Sequence, residues 1–207
     1  MSVVDVWVSP TKAMVIVDTK GQRVDGAGYL EISKMLYLPH ANVVIAGRGT
    51  NLFLNALFSI LHLSPAQSCD DCDRLMFGAL KQASEGVKAM VDAGAVPPMA
   101  VRNEVTLVGY SDHYHGMHAV SYLECDDGSF EAHEVSDAYF GPWFEIWGPA
   151  PTGFPTVGLA RAIATEQVSN LLQMHPDKPF GGRLLLAELT REDCRFSTLA
   201  RMTERTR

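Results

Sequence analysis

The chain has 207 residues, of which 47% are hydrophobic and 20% charged, and its formal net charge is −7. That length suits one large domain, predicted over 1–207, in which the mixed, charged C-terminal tail at 191–207 carries no predicted element. The acidic balance argues against nucleic acid or an anionic membrane as a partner, because phosphate groups are bound by positive charge. The apolar stretches are broken by polar residues before they reach the ~20 residues that a membrane span needs.

The four cysteines do not form a metal-ligand pattern. Cys69 and Cys72 make a lone CxxC, whereas a zinc site normally has a second such pair, and Cys125 and Cys194 stand far apart. We therefore expect no metal, no cofactor and reduced thiols in a cytoplasmic protein. The sequence shows no basic segment followed by an apolar one, so we expect no signal peptide.

The first predicted element is a hairpin over 3–18, in which two apolar runs flank a turn at SPTK. GYLEISKMLYLP, at 28–39, alternates well enough to predict one strand. NVVIAG, at 42–47, predicts a short buried strand that ends in glycine. The chain therefore opens with strands only.

Two helices follow. The spacing of apolar residues predicts the first over 50–63, with Thr50 as its N-cap. The second is predicted over 68–93, where acidic residues in the first turn complement the helix N-terminus. Gly78 and Gly86 either weaken this second helix or let it pack closely.

The second half of the chain reads as strands, one helix and a final strand. The predicted strands are EVTLVGY (104–110), MHAVSYLEC (117–125), SFEAHEV (129–135), WFEIWG (143–148) and RLLLAELT (183–190), with a helix over 154–173. Segregated runs of strands and helices favour an α+β domain over a doubly wound sheet. Two antiparallel sheets packed face to face, with the helices outside, would use every element.

This order of elements resembles the proteasome β-subunit family, including its bacterial relatives, within the N-terminal nucleophile (Ntn) hydrolases. Members of that family expose a threonine at the start of the first strand, followed by an aspartate sixteen and a lysine thirty-two positions later. Counting from Ser2 lands on Asp18 and Lys34 without a gap. The resemblance covers most of the chain and implies the Ntn-hydrolase fold, a four-layer αββα sandwich of two antiparallel sheets flanked by helices.

Two further positions match the family, and two depart from it. Gly47 lies near the glycine whose backbone N–H helps to form the family's oxyanion hole, one position earlier than gap-free counting gives. Asp177 falls on the aspartate of the family's DxxSGG motif. Phe180 replaces the serine of that motif, and Trp147–Pro151 replaces a GSGS-like loop whose hydroxyls help to orient the terminal amine.

The resemblance implies a specific chemistry. Removal of Met1 would make Ser2 a hydroxyl nucleophile with its own α-amine, of pKa about 7.7–8.0, as the base. A nearby Lys34 ammonium would lower the pKa of both groups, and Asp18 would hold that lysine charged and oriented.

The remaining two residues would assist. The Gly47 N–H would stabilise the oxyanion of the acyl intermediate, an effect worth about 2.7–4 kcal/mol per donor. Asp177 would support the amine. The implied function is amide-bond hydrolysis, as in a peptidase, with a peptide or amide as the substrate. The implied assembly is a homo-oligomer, such as the rings that members of the family form.

Each of these residues also has an ordinary structural interpretation. Ser2 could be an unremarkable second residue, Asp18 a turn residue, and Lys34 an edge-strand lysine that discourages aggregation. The alternative function is therefore an inactive structural or assembly protein that keeps the fold, and a third is an amidase for non-peptide substrates.

Two other clusters of side chains have alternative interpretations. The histidines of SDHYHGMH, His113, His115 and His118, could bind a metal, but a polar hairpin loop is the favoured interpretation because the pattern places no partner carboxylate beyond Asp112. The aromatic residues of GPWFEIWGPAPTGFP could line a pocket, bury a subunit contact or pack in the core.

Overall fold

Two five-stranded antiparallel sheets form the centre of the computed structural model, which describes residues 2–23, 28–97, 102–142, 149, 151–176 and 178–202. The strands in chain order are β1 (Val4–Val8), β2 (Ala13–Asp18), β3 (Lys20–Gln22), β4 (Tyr29–Glu31), β5 (Met35–Leu38), β6 (Val43–Arg48), β7 (Glu104–Ser111), β8 (Gly116–Glu124), β9 (Phe130–Glu134), β10 (Ala138–Gly141), β11 (Gly182–Leu189) and β12 (Cys194–Met202). The helices are α1 (Asn51–His62), α2 (Cys69–Asp92) and α3 (Val157–Met174).

The first sheet has the order β10-β1-β2-β11-β12, and the second has the order β5-β6-β7-β8-β9. A two-stranded ribbon, β3-β4, projects beside the first sheet. Within the described residues, all the strand pairs are antiparallel.

The four layers follow from β1, which is buried on both faces. Val4, Val6 and Val8 point into a core shared with the second sheet. Val3 and Trp7 point the other way, into a core shared with α3. This alternation is the two-residue period of a strand, and it explains why the opening run is apolar at nearly every position.

The outer face of the second sheet is covered by α1 and α2, which bury a third core against it. The order of layers is therefore α3, first sheet, second sheet, then α1 with α2, and the predicted αββα sandwich is confirmed. Among the helices that the structure describes, none is long and apolar enough to cross a membrane.

The helices match their predicted spans closely. Thr50 caps α1 as predicted, because its hydroxyl accepts a hydrogen bond from the Phe53 N–H. Ser68 caps α2 in the same way, with Asp70 and Asp71 in the first turn.

The prediction of one strand over 28–39 is wrong. The segment divides into β4, which pairs with β3, and β5, which pairs with β6 in the second sheet. Residues 32–34 pass between the two, and the Ile32 N–H donates to the Thr19 carbonyl at 2.8 Å. The alternation of apolar residues is the same in β4 and β5. The sequence pattern therefore does not show that the two strands pair with different neighbours.

Two other differences concern the second half, where one further prediction is not tested. No pattern predicted β10, a four-residue strand that pairs with β1. The strand predicted at 143–148 lies outside the described residues. Within the C-terminal tail at 191–207, residues 194–202 form β12, which pairs with β11 along its whole length.

Candidate functional site

Asp18 is the centre of the site. It is the last residue of β2 and is fully buried, and its carboxylate accepts three hydrogen bonds. Oδ1 accepts from the Val3 N–H at 2.8 Å and from Lys34 Nζ at 2.7 Å. Oδ2 accepts from the Gly181 N–H at 3.0 Å. Because β2 lies between antiparallel β1 and β11, its end meets the residues that precede both neighbours, and this topology brings the donors together.

Lys34 reaches Asp18 from the link between β4 and β5. Its side chain is only 5% exposed, and its Nζ also donates to the Lys20 carbonyl at 2.7 Å. Burial lowers the pKa of Lys34 below its ordinary value, although the carboxylate of Asp18 opposes this shift. Lys34 is therefore part of a buried ion pair and is not the solvated edge residue of the alternative interpretation.

Ser2 is buried immediately before β1. The N–H of the next residue, Val3, donates to the same Asp18 oxygen that accepts from Lys34. The shared acceptor fixes the Ser2–Val3 peptide beside the Lys34 ammonium. The structure therefore places Ser2 next to the Asp18–Lys34 ion pair, and the catalytic roles of the three residues stay a prediction.

Gly47 is next to Lys34, but its N–H is already engaged. It donates to the Lys34 carbonyl at 2.9 Å, so an oxyanion would bind there only if it displaced this bond. Gly47 also has a packing role, since a Cβ at this position would lie 3.1 Å from Leu54 Cδ1 and 3.2 Å from the Glu104 carbonyl.

The other predicted positions either lie outside the described residues or pack in the core. Asp177 and most of Trp147–Pro151 lie outside the described residues. Phe180, in place of the family's serine, is buried in the core between the first sheet and α3. Phe154, from the aromatic segment, packs against the same core, with Lys12 Nζ 4.5 Å from its ring centre.

The sequence reasoning missed the residues that hold Asp18 in place. Gly181 and Gly182 both have positive φ angles, 99° and 74°, which favour glycine. The Thr19 hydroxyl accepts from the Arg183 N–H at 2.8 Å, and a Cβ on Gly182 would lie 2.7 Å from that hydroxyl. The GG of DKPFGG was the available signal, because adjacent glycines before a strand often mark a strained turn.

A second charged cluster lies between the sheets, close to the first. Arg48 Nη1 donates to Glu104 Oε2 at 2.9 Å, and the Tyr139 hydroxyl donates to the other oxygen of Glu104. Burial, with the adjacent carboxylate, raises the pKa of Tyr139. This cluster joins the ends of β6, β7 and β10.

The histidine and cysteine groups are not brought into a metal centre. His113 and His115 lie in the turn between β7 and β8, while His118 is on β8 and stacks on Tyr114. Within the described ranges, no three metal-ligating side chains lie close enough to hold an ion. Cys72 is buried on α2, and burial raises the pKa of its thiol to about 11, which makes it unreactive.

A cavity of about 320 Å³ lies between the β3–β4 ribbon and the β11–β12 pair. Its lining includes Lys20, whose carbonyl binds Lys34, together with Tyr29, Gly182 and Arg201. The cavity therefore adjoins the Asp18 site through Lys20.

Comparison with known proteins supports the fold. No protein-family model matches the chain, and no curated protein matches its sequence. Among solved structures, a Gly-1 mutant of Anbu from Hyphomicrobium sp. strain MC1 has a TM-score of 0.65 at 13% identity, over 97% of this chain and 87% of that one. Anbu from Yersinia bercovieri, described as an ancestral β-subunit, has a TM-score of 0.64 at 12% identity, over 96% and 87%. The chain has the proteasome-like fold of these proteins.

Proposed function

We propose that the chain is an Ntn-type amide-bond hydrolase in which Ser2 becomes the N-terminal nucleophile after removal of Met1. The observation that carries the proposal is the convergence of the Val3 N–H and the Lys34 ammonium on one oxygen of Asp18. This pairing holds a positive charge beside the residue that follows Met1. The substrate class is a peptide or another amide.

The proposed reaction has two stages. The Ser2 hydroxyl attacks the amide carbonyl while its proton passes to the α-amine, and the C–N bond then breaks as the amine returns that proton to the leaving nitrogen. Water hydrolyses the resulting ester and regenerates Ser2. The Lys34 charge favours the attacking oxyanion, and Asp18 keeps Lys34 oriented. Gly47 serves as an oxyanion donor only if substrate displaces its bond to the Lys34 carbonyl, and Asp177 is proposed to support the amine.

The decisive experiment examines the N-terminus. Intact mass and N-terminal sequencing of protein expressed without an N-terminal tag would be followed by an epoxyketone or hydroxyl-directed acylating probe. We expect a chain that begins at Ser2 and takes one label, and we expect no label on Ser2→Ala. Ser9→Ala, in the exposed turn after β1, is the matched control and should label normally. A chain that keeps Met1 and takes no label would overturn the proposal.

The second candidate is an inactive structural or assembly protein. The engaged Gly47 N–H favours it, because the expected oxyanion donor is already used within the fold. A Ser2 that is exposed by processing but takes no probe would support this candidate.

The fold of the Anbu structures favours a homo-oligomer under either candidate. The four free cysteines agree with a reducing, cytoplasmic environment.

A further inference from the structure

A second cavity, of about 390 Å³, lies on the outer face of the second sheet beside α2. Its floor is β8, where His118, Val120 and Tyr122 point to the same face because side chains alternate along a strand. Phe77, on α2, and Tyr114, in the turn before β8, line its sides and are 53% and 55% exposed. The volume falls within the range of about 300–1,000 Å³ that is usual for small-molecule sites.

One end of this cavity is formed by His118 and Glu134. The side chain of His118 is only 8% exposed, yet none of the described residues forms a hydrogen bond with its ring. Its Nδ1 lies 3.6 Å from Glu134 Oε1, which is longer than a hydrogen bond. Glu134, on β9, is opposite Val120 and points to the same face of the sheet. A buried imidazole and a carboxylate can therefore both accept hydrogen bonds from a ligand here.

The other end holds a second carboxylate. Asp73, near the start of α2, accepts a hydrogen bond from the Tyr122 hydroxyl through Oδ1. Among the described residues, no donor reaches its second oxygen, Oδ2. Tyr122 and His118 are four residues apart on one strand, so their Cα atoms are about 13 Å apart. The carboxylates of Asp73 and Glu134 are therefore anchored at separate points along the cavity.

The surface between the two carboxylates is largely aromatic. The Phe77 and Tyr122 rings pack edge to face with their centres 5.6 Å apart, and Tyr114 stacks on His118 at 4.4 Å. Val120 lies between Tyr122 and His118 on the floor. Aromatic faces attract cations, and apolar surface of this kind packs well against the methylene groups of an amphipathic chain.

Arg74 also lines the cavity, but its positive charge is engaged within α2. Its Nη2 forms an ion pair with Asp71, and its Nε donates to the Asp70 carbonyl at 3.3 Å. Asp71 therefore offsets the charge of Arg74. Asp73 and Glu134 have no lysine or arginine partner among the described side chains, so the cavity keeps two negative charges.

We propose that this cavity binds a linear aliphatic diamine, with one ammonium group at Glu134 and His118 and the other at Asp73. The methylene chain lies over Val120 and against the rings of Phe77 and Tyr122. A carboxylate at each end and apolar surface in the middle match a cation at each end of an apolar chain. A metal ion does not fit this arrangement, since the described residues bring no three metal-ligating side chains together.

The first test is isothermal titration calorimetry at about pH 8, where amines are protonated and exposed carboxylates are ionised. The ligands are the diamines from 1,3-diaminopropane to 1,8-diaminooctane, in salt of about 0.15 M. We expect one chain length to bind best, because two anchored carboxylates set the spacing. Pentylamine, which has one ammonium group, should bind about tenfold more weakly than the best diamine, or weaker still. Equal affinity for pentylamine, or an affinity that does not change with chain length, would overturn the proposal.

The second test removes one charge at a time. Asp73→Asn and Glu134→Gln should each weaken binding of the best diamine by about tenfold or more, because each loses a charge-assisted hydrogen bond. Asn at position 73 keeps an acceptor for the Tyr122 hydroxyl, so the contact between α2 and β8 is retained.

Glu131→Gln is the matched control. It removes the same charge from β9, but on the face of the strand that points away from the cavity, so binding should be unchanged. If Glu131→Gln weakens binding as much as Glu134→Gln does, the protein attracts diamines only through its net charge and the proposal is wrong. Neither test depends on whether Ser2 is reactive.

Discussion

Asp18 connects three segments that are far apart in the sequence, through bonds to Val3, Lys34 and Gly181. Since the residue is fully buried, its charge is compensated by these donors and not by water. A buried ion pair adds little stability compared with an apolar pair of the same shape, but the loss of one partner is costly. The site is therefore sensitive to single changes and tolerant of paired ones.

Asp18→Asn should lower the free energy of unfolding by about 3–5 kcal/mol, because it leaves the Lys34 ammonium buried without a counter-ion. Urea unfolding at pH 7 measures this loss. The double variant Asp18→Asn, Lys34→Met is the control and should recover part of it. If the stability losses of the two single variants simply add in the double variant, Asp18 and Lys34 do not stabilise each other.

Lys34 should make stability rise in the alkaline range. Its folded pKa is lowered, so between that value and the unfolded pKa of about 10.4 the folded state binds fewer protons than the unfolded state. The unfolding free energy should increase with pH there, by up to about 1.4 kcal/mol per pH unit, relative to Lys34→Met. A constant difference between the two proteins from pH 7 to pH 10.5 would show that the pKa of Lys34 is not lowered.

At the scale of elements, the structure distinguishes glycines that weaken a helix from glycines that allow close packing. Gly78 and Gly86 are exposed on α2, and a Cβ at either position would meet nothing within 4 Å. They do not allow close packing and therefore only weaken the helix. Gly47, by contrast, faces Leu54 and the Glu104 carbonyl at short range.

Gly86→Ala should stabilise the protein by about 0.8–1.0 kcal/mol, the difference in helix propensity. Gly47→Ala should destabilise it by about 1–3 kcal/mol through overpacking. Both are measured by urea unfolding, and Leu54→Ala should cost less stability in the Gly47→Ala protein than in the unmodified protein, because it relieves the contact with the new Cβ. Equal effects of the two alanines would refute this assignment of roles.

The helices and the first hairpin were predictable because their signals are local. Thr50 and Ser68 cap helices through contacts three residues away, and apolar spacing defines the buried face. The break between β4 and β5 was not predictable, because it depends on which distant strand pairs with each half. The four residues of β10 are likewise a strand because β1 lies beside them.

At the scale of the whole molecule, the proposal of a homo-oligomer rests on the fold. We expect native mass spectrometry at micromolar concentration to give a multiple of the 22.6 kDa chain mass. Ser2→Ala should assemble to the same extent, because it removes only one hydroxyl. A mass of one chain at every concentration would argue against the oligomer without affecting the test of Ser2.

The sequence by itself determined the class of fold and the spacing of Ser2, Asp18 and Lys34, because strand and helix periods and residue counts are carried by the chain. Only the tertiary structure decided that Gly181 holds Asp18 and that the Gly47 N–H is engaged. Each of these depends on a hydrogen bond or a burial between segments that are distant in sequence. Their partners are set by sheet topology, which a single sequence does not specify.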